Sequence, residues 1–170
     1  MAVYKSDQRD ILFNLNEVLN VTQHEQYGFD QNSLKEILIE YDKFVANEIY
    51  PTRMESDEIG VQRKDGQVVV PECLKTLNKN FYEMGWYALG LPEDIEGAPV
   101  PRALAQACRS LMMGANVAWS MYPGLTLGAM NVMRAVGDDY IKSTFIPKMM
   151  TGSWGGTMCL TEAGAGSDVG

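Results

Sequence analysis

The most informative segment of this 170-residue sequence lies near its end and reads Cys159-Leu160-Thr161-Glu162-Ala163-Gly164-Ala165-Gly166-Ser167-Asp168. Residues 155–161 follow a turn and predict an extended segment. The glycine-rich turn behind it offers backbone N–H groups and compact hydroxyl donors with little side-chain bulk, so it can approach a polar ring or a phosphate closely. The shape of the turn alone, however, fits an ordinary loop with a Ser/Asp cap better than a binding site.

Three common motifs do not match this turn. Gly164, Gly166 and Gly170 have the spacing G-x-G-x-x-x-G, whereas the dinucleotide fingerprint is G-x-G-x-x-G and opens a helix in a βαβ unit. No Gly-Lys-Ser/Thr follows, which excludes a Walker loop. A serine hydrolase needs G-x-S-x-G and a usable histidine. Here Ala165 replaces the first glycine, and His24 lies far away in a polar segment that favours a solvated surface side chain.

The sequence before this turn predicts helices. Apolar residues at helical spacing cover residues 11–19 and predict a short amphipathic helix. A second helix is predicted to begin at Ser33, whose spacing to Glu36 is that of a capping box. Its apolar stripe continues to Pro51, which lacks an N–H group and therefore ends or kinks the helix.

Turn signals then interrupt the helical pattern. Residues 64–66 predict a turn, and residues 68–70 predict a brief strand. The next helix is predicted from Pro71 to Gly85, since proline suits the first position of a helix and glycine its C-terminal cap.

Residues 102–135 are rich in Ala, Leu and Met and poor in charge, which predicts buried helices. The sequence at residues 122–124, Tyr-Pro-Gly, predicts a break between two of them. A third helix is predicted to begin at Asp138 or Asp139 and to run until Pro147 disturbs it. The methionines favour core packing over an adaptable ligand-facing wall, because helical spacing explains most of them. The predicted fold class is therefore mainly α.

Composition excludes several classes of protein. Hydrophobic residues make up 46% and charged residues 21% of the chain, which is typical of a globular protein. The net charge of −8 argues against a nucleic-acid binder, since such a protein needs a basic patch. No apolar run approaches the ~20 residues of a membrane span, and the N-terminus has no apolar core of a secretory signal.

The numbers and spacing of the cysteine and histidine residues predict a protein of a reducing compartment, and they predict no metal site in it. The three cysteines, Cys73, Cys108 and Cys159, are widely spaced and odd in number, which argues against a disulfide framework and favours the cytoplasm. With one histidine and no Cys cluster, no zinc site is predicted. The cysteines are interpreted as small buried hydrophobic residues and not as nucleophiles.

The segment at residues 159–168 resembles the first signature of the acyl-CoA dehydrogenase family, matching its Leu-Thr-Glu, its Gly-Ser-Asp and the length between them. Residues 137–152, with Ile-Pro-Lys-Met and a Thr-Gly turn, resemble the helix that precedes this signature. Residues 71–85 and the Gly-Leu-Pro-Glu at 90–93 are similar to another passage of the family. Residues 4–19 resemble the leader of its longer branch, which includes methylthiopropanoyl-CoA dehydrogenases.

The resemblance implies a division of the chain into three parts. These are an N-terminal leader helix at residues 1–28, a helical N-terminal acyl-CoA dehydrogenase domain at 29–152, and the first strand of a truncated middle β-domain at 153–170. In this family the catalytic base lies on another domain. No catalytic residue is therefore expected in this fragment, which alone should be inactive.

The resemblance also implies FAD as cofactor. Met158, Cys159, Leu160 and Thr161 would line the flavin ring, while Gly166 and Ser167 would meet its phosphates. Ser167 would also bind the substrate. Glu162 is interpreted as structural and Asp168 as bracing the turn, and no metal is implied.

The implied reaction is the oxidation of the Cα–Cβ bond of an acyl-CoA thioester in fatty-acid metabolism. A carboxylate takes the α-proton, the β-hydride goes to the flavin, and an electron-transferring flavoprotein accepts the electrons. A homo-oligomer is expected at full length. An acyl-CoA oxidase and a non-catalytic alkylation-response flavoprotein of the same fold are alternatives. Residues 94–99 depart from the family's Glu-Tyr-Gly-Gly, so the acyl chain length stays open. Met158 stands where many members have an aromatic residue, so a flavin contact made by a ring there would differ.

Overall fold

A computed structural model of the chain describes residues 4–23 and 28–168, which leaves His24 outside the described residues. The described part is mainly helical, as predicted. Its α-helices are α1 (Gln8–Phe13), α2 (Gln31–Phe44), α3 (Thr52–Ile59), α4 (Glu72–Glu83), α5 (Arg102–Ala115), α6 (Val117–Val136) and α7 (Asp139–Met150). Its strands are β1 (Gln62–Lys64) and β2 (Gln67–Val69). The chain divides into two compact units, Met1–Ser120 and Met121–Gly170.

Helices α1 and α2 are each extended at their C-terminal end by one turn of π-helix. A turn of π-helix at Asn14–Val18 extends α1, and another at Val45–Ile49 extends α2. The N-cap of α2 is Asp30, and not the predicted Ser33. The Asp30 carboxylate accepts the backbone N–H of Ser33 at 2.7 Å and its hydroxyl at 2.8 Å. These bonds lower the pKa of Asp30. An ionised carboxylate is a stronger acceptor than a hydroxyl, which explains why the helix begins three residues earlier.

The core of the first unit is apolar and aromatic. The rings of Phe44 and Phe81 lie 6.1 Å apart, and Phe81 meets Trp119 edge-on at 5.1 Å. Three helices of this unit also carry buried side chains: Leu34 and Leu38 of α2, Leu74 and Leu77 of α4, and Leu104, Cys108 and Ala115 of α5. Such burial is the main stabilising contribution to a helical unit of this size.

The break between α5 and α6 lies at Asn116, and not at the predicted Tyr-Pro-Gly of residues 122–124. Asn116 has extended backbone angles, and its Oδ1 accepts the backbone N–H of Trp119 at 3.1 Å, which is the geometry of an N-cap. Pro123 lies inside α6. A proline removes one helical hydrogen bond, which tertiary packing can offset, whereas a buried cap directly sets where a helix begins.

The hairpin of β1 and β2 confirms the turn predicted at residues 64–66. Gln62 pairs with Val69 and Lys64 with Gln67. Asp65 and Gly66 both have positive φ, at 51° and 78°. This is the Asp-Gly arrangement of a tight hairpin turn, whose twist matches that of the strands.

The extended segment predicted at residues 155–161 does not form a strand within the described part of the chain, which corrects the prediction of an opening β-strand there. Residues 155–162 have no regular secondary structure. A strand is stabilised by the hydrogen bonds of a neighbouring strand, and no described segment pairs with this one.

The second unit contains the rest of α6 together with α7. Of the two predicted caps, Asp138 and Asp139, the structure has Asp138 as the N-cap of α7. Its Oδ1 accepts the N–H of Ile141 at 2.8 Å. The helix continues past Pro147 to Met150. Met130, Ile146 and Met149 are among the buried apolar side chains of this unit. Among the described helices, none is both long and apolar enough to cross a bilayer.

Candidate functional site

The segment that carries the predicted site residues begins at an anchor on α7. The backbone N–H of Trp154 donates to the carbonyl of Lys148 at 3.1 Å. The Lys148 ammonium lies 4.0 Å from the centre of the Trp154 ring, and Phe145 meets that ring at 5.4 Å. These contacts hold the chain against the end of α7 as it leaves the helix.

A second anchor fixes the segment to α6. The hydroxyl of Thr126, which is only 2% exposed, donates to the carbonyl of Tyr122 at 2.8 Å. The same oxygen accepts the backbone N–H of Gly156 at 3.0 Å. A Cβ atom at Gly156 would lie 2.6 Å from Cβ of Ala129, a distance that no packed structure tolerates. Gly156 is therefore a glycine because the chain passes very close to the helix.

The residues predicted to line a flavin follow these anchors directly and face solvent. Met158 and Leu160 are 57% and 55% exposed, and Cys159 and Thr161 are also exposed. The interpretation of all three cysteines as buried thus holds for Cys108, whereas Cys73 is half-buried and the interpretation is wrong for Cys159. Within the described part of the chain Cys159 is left exposed to solvent, whereas Cys108, on a helix, is buried in the core.

The predicted turn is closed by its own backbone. The N–H of Glu162 donates to the carbonyl of Ala165 at 2.8 Å, and the N–H of Ala165 donates to the carbonyl of Glu162 at 3.4 Å. Gly166 and Ser167 follow and are exposed. The predicted site residues thus lie on one segment, residues 158–167, which is exposed except at the half-buried Ala165.

The glycines of this turn differ from Gly156 in their surroundings. A Cβ atom at Gly164 or Gly166 would meet no described atom within 4 Å, and neither residue has a positive φ. Neither packing within the described chain nor backbone conformation therefore requires glycine at these two positions. The turn presents an unobstructed backbone on its outer side.

The charges of the segment are acidic. Glu162 and Asp168 are the charged residues between positions 153 and 168, and both are exposed. The segment itself therefore offers an anionic ligand no cationic side chain. Its means of holding such a ligand are N–H groups and the hydroxyls of Thr161 and Ser167.

A second predicted feature, the loop at residues 94–99, is tightly built. The N–H of Gly90 donates to the carbonyl of Ala98 at 2.8 Å, and the N–H of Gly97 to that of Pro92 at 3.0 Å. A Cβ atom at Gly97 would lie 2.3 Å from the carbonyl oxygen of Leu91, so only glycine fits there. The loop is therefore fixed by its own backbone bonds.

Sequence reasoning identified the exposed segment but missed its anchors. Thr126 is one of several small residues in an apolar helix, and nothing in the pattern distinguishes it. The signal that was available is the pair Gly155-Gly156 after Trp154. Such a pair indicates a close approach of backbone to another element.

Comparison with known proteins gives a consistent result. Residues 31–153 match the family described as "Acyl-CoA dehydrogenase, N-terminal domain". The chain is 32% identical to the 3-methylmercaptopropionyl-CoA dehydrogenase of Ruegeria pomeroyi, over 98% of this chain and 29% of that protein. It is also 32% identical to the broad-specificity linear acyl-CoA dehydrogenase FadE5 of Mycobacterium tuberculosis, over 100% of this chain and 28% of the relative.

A third relative is a butyryl-CoA dehydrogenase of Syntrophomonas wolfei, 32% identical over 98% of this chain and 28% of the relative. The chain thus spans less than a third of the length of the relatives that it matches. The family match covers well over half of the chain, and the predicted signature lies on the exposed segment that the two anchors hold. The chain belongs to the acyl-CoA dehydrogenase family.

Proposed function

We propose that this chain is the N-terminal part of an FAD-dependent acyl-CoA dehydrogenase that oxidises the Cα–Cβ bond of an acyl-CoA thioester. The names of the relatives support the reaction class. The observation that carries the site is the turn at residues 161–167, where neither packing nor backbone angle requires the glycines. Glycines that have no such role in the described part of the chain favour the approach of a ligand from outside.

The residues of the segment fit a flavin dinucleotide. Met158 and Leu160 offer exposed apolar surface for a flat ring, while Thr161 and Ser167 offer hydroxyl donors. The open backbone at Gly166 lets N–H groups reach a phosphate. When bound, the flavin supplies the two-electron oxidising capacity of the reaction. The chain's own residues bind and orient it, with Cys159 as a further contact.

Ser167 has a second role in this proposal, as a donor to the acyl-CoA substrate. The base that removes the α-proton is expected outside these 170 residues, so the chain alone should be inactive. An electron-transferring flavoprotein is proposed as the electron acceptor of the whole protein, and a cytoplasmic homo-oligomer as its state. The division at residues 28 and 152 also stays a prediction.

The test is a pair of substitutions in the full-length natural protein, Thr161→Val and Ser167→Ala. Each removes a hydroxyl that would meet a buried ligand group, at a cost of ~1–3 kcal/mol. The expected result is a roughly five- to hundred-fold loss of affinity for FAD or for an acyl-CoA, with an unchanged thermal melt. The readouts are a fluorescence titration with FAD and a calorimetric titration with acyl-CoA.

Thr151→Val is the matched control, because Thr151 is exposed and its hydroxyl donates to the carbonyl of Lys148 before the segment begins. If both site variants keep wild-type affinities, the turn is a plain capping loop and the assignment is wrong. Steady-state turnover with an artificial acceptor under nitrogen and with oxygen alone separates a dehydrogenase from an oxidase.

A further inference from the structure

We propose that Thr126 is a positioning residue that fixes the cofactor segment at residues 157–167 to helix α6. This inference rests on the proposed function, since it assigns Thr126 a task at the same site. Thr126 itself lies on a helix and not in the segment. It is proposed to act through Gly156, two residues before the first predicted flavin contact at Met158.

The hydrogen bonds of Thr126 give its oxygen a defined direction. The hydroxyl proton is used on the carbonyl of Tyr122 at 2.8 Å. The lone pairs of the oxygen are thereby directed to the N–H of Gly156, which lies at 3.0 Å. With Thr126 only 2% exposed, water competes little for either bond.

Packing acts together with this bond. A Cβ atom at Gly156 would lie 2.6 Å from Cβ of Ala129, 3.0 Å from Cα of Thr126 and 3.1 Å from Cε of Met149. The backbone at Gly156 therefore lies directly on α6 and beside the buried Met149. The position of the chain is set sterically as well as by the hydrogen bond.

The consequence concerns the exposed residues that follow. Met158, Leu160 and Thr161 are exposed and lack the core packing that fixes most side chains. Their positions depend on where the chain leaves α6, and Gly156 is the anchor to that helix that precedes them. A shift of the anchor moves every predicted flavin contact at once.

The experiment uses the full-length natural protein with Thr126→Val, Thr126→Ser and the control Ser120→Ala. Valine keeps the shape of threonine but leaves the N–H of Gly156 without an acceptor, whereas serine keeps the hydroxyl. Ser120 is a buried residue of the same helix whose hydroxyl donates to the carbonyl of Val117. Its loss controls for the removal of a buried hydroxyl from α6.

Two quantities are measured: amide hydrogen exchange of a peptide covering residues 154–161 in the flavin-free protein, and FAD affinity from fluorescence titration. Thr126→Val is expected to speed exchange of this peptide and to weaken FAD binding roughly five- to hundred-fold. Thr126→Ser is expected to restore both quantities, and Ser120→Ala to leave both unchanged.

Unchanged exchange in Thr126→Val, or faster exchange with wild-type FAD affinity, would overturn the proposal. If Thr126→Val does not fold, Gly156→Ala perturbs the same contact from the loop side and leaves α6 intact, and wild-type FAD affinity in that variant would overturn it equally. A wild-type protein that binds no FAD would refute the proposed function itself. If only this inference is wrong, the wild type still binds FAD, and Thr161→Val and Ser167→Ala still weaken ligand binding.

Discussion

Cys108 shows how burial at a single position controls the chemistry of a thiol. It is 1% exposed on α5, and burial raises the pKa of its thiol to about 12, although the charge of Arg109 acts in the opposite direction. Burial also raises the pKa of Cys73. Because a buried thiol resists ionisation, Cys108 is a packing residue and not a nucleophile.

This raised pKa predicts a loss of stability at alkaline pH. The thiol of the unfolded chain ionises near pH 8.5, whereas the folded one stays protonated to about pH 12. Above pH 8.5 the unfolded state therefore binds fewer protons than the folded state, and the free energy of unfolding falls by about 1.4 kcal/mol per pH unit. The stabilising contribution is complete below pH 8.5 and is lost progressively up to pH 12.

Urea denaturation of wild type and Cys108→Ala at pH 8 and pH 10 measures this loss. Between these two pH values the free energy of unfolding of the wild type should fall by about 2 kcal/mol more than that of the variant. The comparison cancels the contributions of the buried Tyr41 and Tyr87, whose pKa values are also raised by burial. Equal losses in the two proteins would show that Cys108 titrates normally in the folded state.

At the scale of single residues, the sequence predicted the local structure correctly where a residue type strongly favours one backbone conformation. The Asp-Gly turn and the left-handed Gly85, with φ of 78°, were both predicted. It failed at the N-cap of α2, where Asp30 and Ser33 are both good caps and only geometry chooses between them. It failed at Cys159, because burial depends on which elements cover a segment.

At the scale of elements, Asn116 links three helices. Its side chain caps α6 through the N–H of Trp119 and donates from Nδ2 to the hydroxyl of Thr52 at 3.0 Å. Thr52 begins α3 and in turn donates to the carbonyl of Ile49 at 2.7 Å. A buried polar group with all its bonds made specifies one arrangement of the helices around it.

Asn116→Ala is therefore expected to destabilise the protein by about 2–3 kcal/mol, since it removes a helix cap and leaves buried polar groups unpaired. The free energy of unfolding from a urea titration measures the effect. Asn80→Ala is the matched control, because the Asn80 amide donates to Glu48 in a part-buried contact that caps no helix. A loss in Asn116→Ala no larger than in this control would contradict the role of Asn116 as the junction of α3, α5 and α6.

The junction at Asn116 also explains an error made from the sequence. A Tyr-Pro-Gly sequence is a strong local signal for a break, and the prediction placed one there. The break lies instead at Asn116, whose side chain caps α6 and also donates to Thr52, a residue far away in the sequence. Helices with strong periodicity, such as α4, needed no such contact to be predicted. The β-strand predicted at residues 155–161 is absent from the described part of the chain for a related reason. A strand requires a partner strand, which the local sequence does not reveal.

At the scale of the whole molecule, the predicted cofactor contacts lie on one continuous segment. Met158, Leu160, Thr161 and Ser167 are all exposed in the 170-residue chain. A ligand site for a molecule as large as FAD buries most of the ligand among groups that converge from several elements. One exposed segment provides only a part of such a site, however well its anchors hold it.

The 170-residue chain by itself is therefore expected to bind FAD weakly or not at all, although it should be well folded. Flavin fluorescence during titration with the chain measures binding, and the full-length natural protein under the same conditions is the reference. Far-UV circular dichroism dominated by a helical signal controls for folding, because loss of binding in an unfolded chain would carry no information about the site. A stoichiometric yellow complex of the chain with FAD would contradict the prediction. In that case the 170 residues would already supply a complete flavin site, and the contacts assigned to residues 158–167 would have to be supplemented by others within the chain.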